Sequence, residues 1–228
     1  MFYFDPMYFL YIAPAVLLGL WAQMRIQSAY SQAQQLAAPL SGAGAARHIL
    51  DSAGLNNIAI EEVPGHLTDH YDPRAKVLRL SSEVYRSRTL AAVGIAAHES
   101  GHALQDAHAY AALRIRNAAV PAASIGTHVS IPLIILGAVL HMNAVLIWLG
   151  IGLFAGVVVF QLINLPVEFN ASSRAKAQLV SLGIINDQEL VFVSKVLNAA
   201  ALTYVAATLQ AVLTLLYYVT RFTGGRRD

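Results

Sequence analysis

The chain has 228 residues, of which 57% are apolar and 12% charged, and its mean hydropathy is positive. Soluble domains carry about 25% charged residues, so this composition favours a membrane protein over a soluble enzyme. A formal net charge of +2, with the basic residues scattered along the chain, excludes a nucleic-acid-binding surface. The absence of cysteine excludes disulfides, thiolate metal ligands and cysteine nucleophiles, so any metal must be bound by His, Asp or Glu.

Four apolar segments are candidate membrane spans, since a helix needs roughly 20 residues to cross a bilayer. The first, at about 7–24, is slightly short and has neither a basic n-region nor a small-residue cleavage site, which predicts a retained anchor. The second and third lie in an uncharged block at 118–167, which a tight turn near 140–143 divides. The fourth covers about 196–220.

The stretch from 25 to 117 has the charge, turn residues and periodicity of a soluble fold, and we interpret it as the catalytic domain. Short alternating segments there predict strands, and Gly54 occupies a position typical of a helix C-cap. The predicted elements are helices at about 29–38 and 44–53, strands at 58–63 and 76–80, a polar loop at 65–73 and a long helix at about 88–116.

The long helix contains a complete H-E-x-x-H motif, which runs from His98 to His102. Residues four apart lie on one helix face, so the two imidazoles can reach the same ion. Glu99 beside them can remove a proton from a water molecule that the metal activates. An uncompensated Glu and two His would be costly to bury in a helix of small apolar residues, which favours a metal site over a chance match.

A catalytic zinc ion needs a third protein ligand, and the helix itself does not provide it. Asp106 lies about 12 Å along the axis from the first histidine, and His108 points to another face. Glu168 is the best candidate, although a carboxylate at a predicted helix N-terminus needs no metal. His66 and His70, in the polar loop, compete with it.

Five longer segments in chain order carry a family resemblance: AARHILD at 45–51, LTDHYDPR at 67–74, LRLS at 78–81, AAHESGHALQ at 96–105 and PVEFNAS at 166–172. Together they resemble the YugP-like neutral zinc metallopeptidases of bacterial membranes. The resemblance implies one catalytic zinc ion, protein or peptide substrates and a place in the bacterial cytoplasmic membrane. It also implies that Glu168, rather than His66 or His70, is the third ligand.

The segment Glu-Phe-x-Ala at 168–171 is more distantly similar to the third-ligand segment of HtpX-like and CAAX-processing membrane peptidases. Those families usually have Glu-x-x-Ala-Asp, and Ser172 stands here in place of the Asp, which leaves the supporting contact to the ligands open. The same similarity implies that the strand around Val77 to Leu80 pairs with an extended substrate backbone.

The basic residues predict an orientation in the membrane. Nine of the fifteen Lys and Arg lie in the stretch at 25–117, which places it in the cytoplasm and the N-terminus outside. Four complete spans would also place the basic C-terminal tail outside, against this tendency. The fourth segment could instead fold back or lie in the interface.

The sequence therefore predicts a mainly α, polytopic α-helical membrane protein with a small α+β zincin-like catalytic domain. Its predicted function is that of a zinc endopeptidase that cuts proteins at the cytoplasmic membrane interface, with His98, His102 and Glu168 as metal ligands and Glu99 as the general base. The predicted parts are an anchor at 1–24, the catalytic domain at 25–117, a transmembrane hairpin at 118–165, a ligand-bearing helical segment at 166–195, and a fourth apolar helix with a basic tail at 196–228.

Two other functions fit parts of the pattern. An intramembrane zinc protease would need its motif helix in the bilayer, but only about nine uncharged residues precede His98, which is too short a run to span. A metal-binding scaffold without peptidase activity would have a closed four-ligand site and no use for Glu99 beside it.

Overall fold

The computed structural model describes residues 5–140 and 142–223; His141, inside the predicted turn, lies outside them. The elements in chain order are α1 Pro6–Gln34, α2 Gly42–Ser52, β1 Ala59–Val63, β2 His70–Asp72, β3 Val77–Ser81, α3 Ser82–Arg86, α4 Leu90–Ala107, α5 Ala111–Val139, α6 Ala144–Ser181 and α7 Asp187–Thr223. Four long apolar helices and a small sheet confirm the predicted fold class.

Helices α1, α5, α6 and α7 are long and apolar enough to cross a membrane. All four extend beyond the spans that the sequence predicts, and two of them join elements that it predicts to be separate. Helix α1 joins the predicted anchor and the following Ala/Gln-rich helix into 29 continuous residues. Helix α6 continues for 38 residues through Pro166, where a span was expected to end and another helix to begin. A proline removes only one backbone donor, and the helical residues on both sides maintain the rest of the hydrogen-bond ladder.

The described chain divides into two compact units. The membrane unit comprises residues 5–21, Ile115–Leu165 and residues 203–223. The catalytic unit comprises Ala22–Arg114 and Pro166–Leu202. The five predicted parts with their boundaries stay a prediction.

Within the membrane unit, glycines allow α5 and α6 to pack closely. A Cβ added to Gly150 on α6 would lie 2.7 Å from the backbone oxygen of Ser130 on α5. Many apolar side chains on the outside of this unit are exposed, as lipid contact requires. Val145, for example, is 76% exposed. The unit therefore has the surface of a bundle that is solvated by hydrocarbon.

The two ends of the described chain meet within the membrane unit. The hydroxyl of Tyr217, near the end of α7, donates to Oδ2 of Asp5 over 2.7 Å, and Arg221 lies 3.6 Å from the same oxygen. Helix α7 is continuous to Thr223, so the fourth apolar segment contains no turn at which it could fold back, and its placement in the membrane stays a prediction. Neither glycine nor proline, the two strongest helix breakers, occurs between Asp187 and Thr223.

The sheet of the catalytic unit has the strand order β1-β3-β2. The central strand β3 pairs in parallel with β1 and antiparallel with β2, so both of its edges are occupied. The expectation that Val77 to Leu80 pairs with a substrate backbone is therefore wrong. Strand β2, which occupies the second edge of β3, has no clear signal in the sequence. It lies in a segment rich in turn residues, which predicts a loop.

Helix α4 is shorter than predicted. It begins after Thr89, whose side chain accepts from the backbone N–H of Ala92 over 3.3 Å. It ends at Ala107 rather than near Arg116, because Ala109 adopts a left-handed conformation with φ of 50° and Tyr110 donates back to the carbonyl of Gln105. An alanine gives no sequence signal for such an end, since it is the strongest helix former.

One hydrophobic cluster of the catalytic unit lies between the sheet and helices α2 and α4, beside a larger cluster to which α1, α6 and α7 contribute. Leu78, on the central strand, is fully buried there among apolar side chains of α2, α3 and α4. Leu67, in the loop before β2, is 56% exposed. The two leucines provide a matched pair for testing this core.

We expect Leu78→Ala to destabilise the protein by about 2–5 kcal/mol, because it leaves a cavity among side chains that cannot collapse into it. In a chain of this size that change lowers the Tm by roughly 4 °C or more, which thermal unfolding in detergent measures. Leu67→Ala is the control and should leave the Tm within about 2 °C of the parent protein, as expected for an exposed site. Equal Tm values for the two variants would contradict this description of the core.

Candidate metal centre

The two histidines of the motif lie one turn apart on α4, as the spacing predicted. Their rings meet edge to face, with centroids 4.9 Å apart and planes 84° to each other. His102 is buried and His98 is nearly so. Both Nε2 atoms face the same carboxylate, that of Glu168.

Glu168 reaches the histidines from the middle of α6. Its Oε2 lies 3.3 Å from Nε2 of His98 and 3.7 Å from Nε2 of His102. These three residues offer ligand atoms that all lie within 4.8 Å of one another. The structure therefore brings together the three residues that the sequence suggested as ligands.

The close approach of α4 to α6 depends on the glycine inside the motif. A Cβ added to Gly101 would lie 2.5 Å from the backbone oxygen of Ala171, a distance that real Cβ atoms do not show. Ala171 is itself fully buried and small. Two small residues at the crossing point thus set the separation of the helices and, through it, the distance from Glu168 to the histidines.

The donor set fits a zinc ion. Tetrahedral zinc with ligands at about 2.0–2.2 Å separates neighbouring ligand atoms by about 3.3–3.6 Å, close to the two distances observed here. Among the described residues, Oε2 of Glu168 is buried and accepts no hydrogen bond. A buried carboxylate oxygen without a donor is costly, and a cation bound by this oxygen and the two imidazoles would remove that cost.

The far side of each imidazole also has a partner. Nδ1 of His98 lies 3.1 Å from Oγ of Ser172. The serine therefore contacts a proposed ligand from the position at which the related motif has Asp. Nδ1 of His102 lies 3.0 Å from Oε1 of Gln105. Such contacts hold each ring so that Nε2 faces the proposed ion.

Glu99 lies beside the ligand group without belonging to it. Its carboxylate accepts a hydrogen bond from the backbone N–H of Tyr71 on β2. Burial raises the pKa of Glu99 to about 7; the nearby charge of Glu168 acts in the same direction, while His98 opposes it. A carboxylate with a pKa near neutrality can both take up and release a proton at physiological pH.

The rival histidines are placed elsewhere, outside the ligand group found among the described residues. His66 lies 3.1 Å from Oε2 of Glu83, and His70 is hydrogen-bonded through Nδ1 to the carbonyl of Thr68 over 2.8 Å. Both side chains contact groups of the protein surface. Neither contact brings a ring towards His98.

The acidic residues around β2 support the fold of this region. Asp69 accepts from the backbone N–H of Ser81 over 2.8 Å, which ties the start of β2 to the end of β3. Asp72 lies 2.8 Å from Nη1 of Arg79, and this hydrogen bond is the main cause that lowers the pKa of Asp72 to about 2. Asp106 accepts from the hydroxyl of Tyr71 over 2.8 Å.

Two residues of the site, Tyr71 and Gln105, were missed by the sequence analysis. Gln105 stands three residues after His102, one turn along the same face, which was an available signal. Tyr71 gave no signal, because its backbone N–H meets Glu99 only through the folding of β2 over α4.

An H-E-x-x-H helix beside a carboxylate from a second helix, in a chain with four candidate spans, is the arrangement of a membrane zinc metallopeptidase. Comparison with known families agrees. The family described as "Putative neutral zinc metallopeptidase" matches residues 8–223, and the chain belongs to it. A relative named "Putative membrane protease YugP", from Bacillus subtilis (strain 168), is 47% identical over 225 residues, which cover 97% of this chain and 100% of the relative. No solved structure matches the chain.

We expect Gly101→Ala to weaken zinc binding although it leaves His98, His102 and Glu168 in place. The new methyl group meets backbone atoms of α6, which cannot rotate away, so the helices must separate and the carboxylate must retreat from the imidazoles. Zinc affinity, measured by chelator competition on the full chain in detergent, should fall at least tenfold.

The control is Gly152→Ala on α6, where an added Cβ meets nothing within 4 Å. It should bind zinc as the parent protein does. An unchanged affinity in Gly101→Ala would show that the approach of the helices at this glycine does not set the site.

Proposed function

We propose that the protein is a membrane-bound zinc endopeptidase that cuts protein substrates at the cytoplasmic surface of a bacterial membrane. His98, His102 and Glu168 bind one zinc ion, and Glu99 is the general base. The observation that carries this proposal is the convergence of two Nε2 atoms on a buried carboxylate oxygen that accepts no hydrogen bond from the described residues.

Zinc bound by these residues would polarise the scissile carbonyl and lower the pKa of the attacking water. The protein's own residues then carry the proton chemistry. Glu99 accepts the proton of the attacking water and later delivers it to the leaving amine. The backbone N–H of Tyr71 holds the carboxylate in position for both transfers.

The location of the motif helix favours cleavage outside the hydrocarbon. Helix α4 is absent from the four candidate spans found among the described residues, and it packs against the three-stranded sheet within the catalytic unit. This supports an interfacial peptidase over an intramembrane one. Glu99, next to the ligand group but outside it, supports an enzyme over a closed structural metal site.

Glu99→Gln and Glu168→Ala should separate chemistry from metal binding. The first removes the base but no ligand, so hydrolysis of a fluorescent casein should fall by about 10²- to 10⁴-fold while the zinc content is unchanged. The second removes a ligand, so zinc and activity should be lost together.

The control for this pair is Glu61→Gln, which removes an exposed carboxylate on β1. Oε2 of Glu61 lies 3.2 Å from Nε of Arg79. Both zinc content and activity should match those of the parent protein, since exposed ion pairs contribute little. Normal zinc content and activity in Glu168→Ala would remove that residue from the site.

The proposed orientation places the catalytic unit in the cytoplasm and both chain ends outside. The excess of basic residues at 25–117 supports the first part, and the hydrogen bond between Tyr217 and Asp5 supports a common side for the two ends. Reporter fusions after Asp72 and at the C-terminus should report an internal and an external position respectively. An external result at Asp72 would overturn the proposed orientation.

A further inference from the structure

Gln105 is fully buried, and its side-chain amide makes three hydrogen bonds, two to α6 and one within α4. Nε2 donates to the backbone oxygen of Val167 over 2.8 Å and to Oδ1 of Asn170 over 3.1 Å. Oε1 lies 3.0 Å from Nδ1 of His102. One side chain therefore contacts a proposed ligand on α4 and the residue next to a proposed ligand on α6.

The surroundings of Gln105 determine which way its amide faces. The backbone oxygen of Val167 can only accept, so the amide atom beside it must be the nitrogen. Oδ1 of Asn170 already accepts from Nε of Arg174 over 2.8 Å, which requires a donor from Gln105 at this atom as well. Two independent contacts thus direct Oε1 towards His102.

This orientation also determines the tautomer of His102. An amide oxygen has no proton to give, so Nδ1 of His102 must be the donor in the contact. A neutral imidazole with its proton on Nδ1 has its lone pair on Nε2, the atom that lies 3.7 Å from Glu168. Ser172 does not determine the tautomer of His98, because its hydroxyl can either donate or accept the hydrogen bond with Nδ1.

We propose that Gln105 is the positioning residue of the metal centre: its amide fixes His102 in the metal-binding tautomer and holds the α6 backbone beside Glu168. Arg174 and Asn170 in turn fix the amide, so a chain of hydrogen bonds runs from Arg174 to Nδ1 of His102. This inference rests on the proposed zinc site, and it gives Arg174 a role through Asn170.

The test compares Gln105→Met, which keeps the volume but removes every hydrogen bond, with Gln105→Glu, which keeps an acceptor for His102 but loses the donors. Gln178→Met on α6 is the matched control. Full-length proteins in detergent are stripped of metal; zinc affinity is then measured by chelator competition, and the absorption spectrum of bound Co²⁺ reports the ligand geometry.

We expect Gln105→Met to weaken zinc affinity by about 10- to 100-fold and to change the Co²⁺ spectrum, as loss of a partner behind a ligating histidine does. Gln105→Glu should lose less affinity and keep a spectrum close to that of the parent protein, because His102 retains its acceptor. A merely structural role would lower the Tm of the metal-free protein without altering the spectrum.

Zinc affinity of Gln105→Met within about threefold of the parent protein, well short of the loss typical for such a partner, overturns the inference. Equal losses in the Met and Glu variants overturn it too, since the acceptor for His102 would then not matter. If Gln105→Met does not fold, the spectrum of Gln105→Glu decides: one like the parent's supports the inference, and an altered one overturns it. Failure of the parent protein itself to bind zinc would instead refute the proposed function.

Discussion

The separation of α4 and α6 at Gly101 and Ala171 is the constraint on which the rest of the site depends. Gly101 has no room for a side chain, since a Cβ there would lie 2.5 Å from the backbone oxygen of Ala171, which is itself fully buried. Helices whose backbones approach this closely place residues one turn away within side-chain reach of each other. Glu168 can therefore meet both histidines, and Gln105 can reach the α6 backbone, without distortion of either helix.

The close approach of α4 to α6 also brings two carboxylates together, and a cation would offset their repulsion. The approach buries the carboxylate of Glu168 close to that of Glu99, and each raises the free energy of the other's charged form. An imidazole that gives its Nε2 lone pair to a metal ion is neutral, so it adds no net positive charge of its own. A divalent ion bound by the three residues would neutralise the carboxylates and coordinate Oε2, so we expect the proposed site to be more favourable with metal than without it.

Helix α6 contributes residues to both units of the chain. Helix α6 has exposed apolar residues such as Val145 in the membrane unit, and in its second half it carries Glu168 and Ser172 in the catalytic unit. Because the helix continues through Pro166, Glu168 lies inside it rather than at a helix end.

The sequence by itself determined the membrane class, the four apolar helices, strands β1 and β3, and the shared face of His98 and His102, because these follow from composition and from periodicity along the chain. It also suggested Glu168, through a resemblance between motifs. It did not reveal the end of α4 at Ala107 or the strand β2, since Ala109 and the polar segment before Asp72 carry no local signal for those conformations. Only the tertiary structure decided which groups meet across α4, α6 and β2. The tautomer of His102, the amide of Gln105 and the N–H of Tyr71 depend on atoms far apart in sequence, and no local pattern encodes their distances.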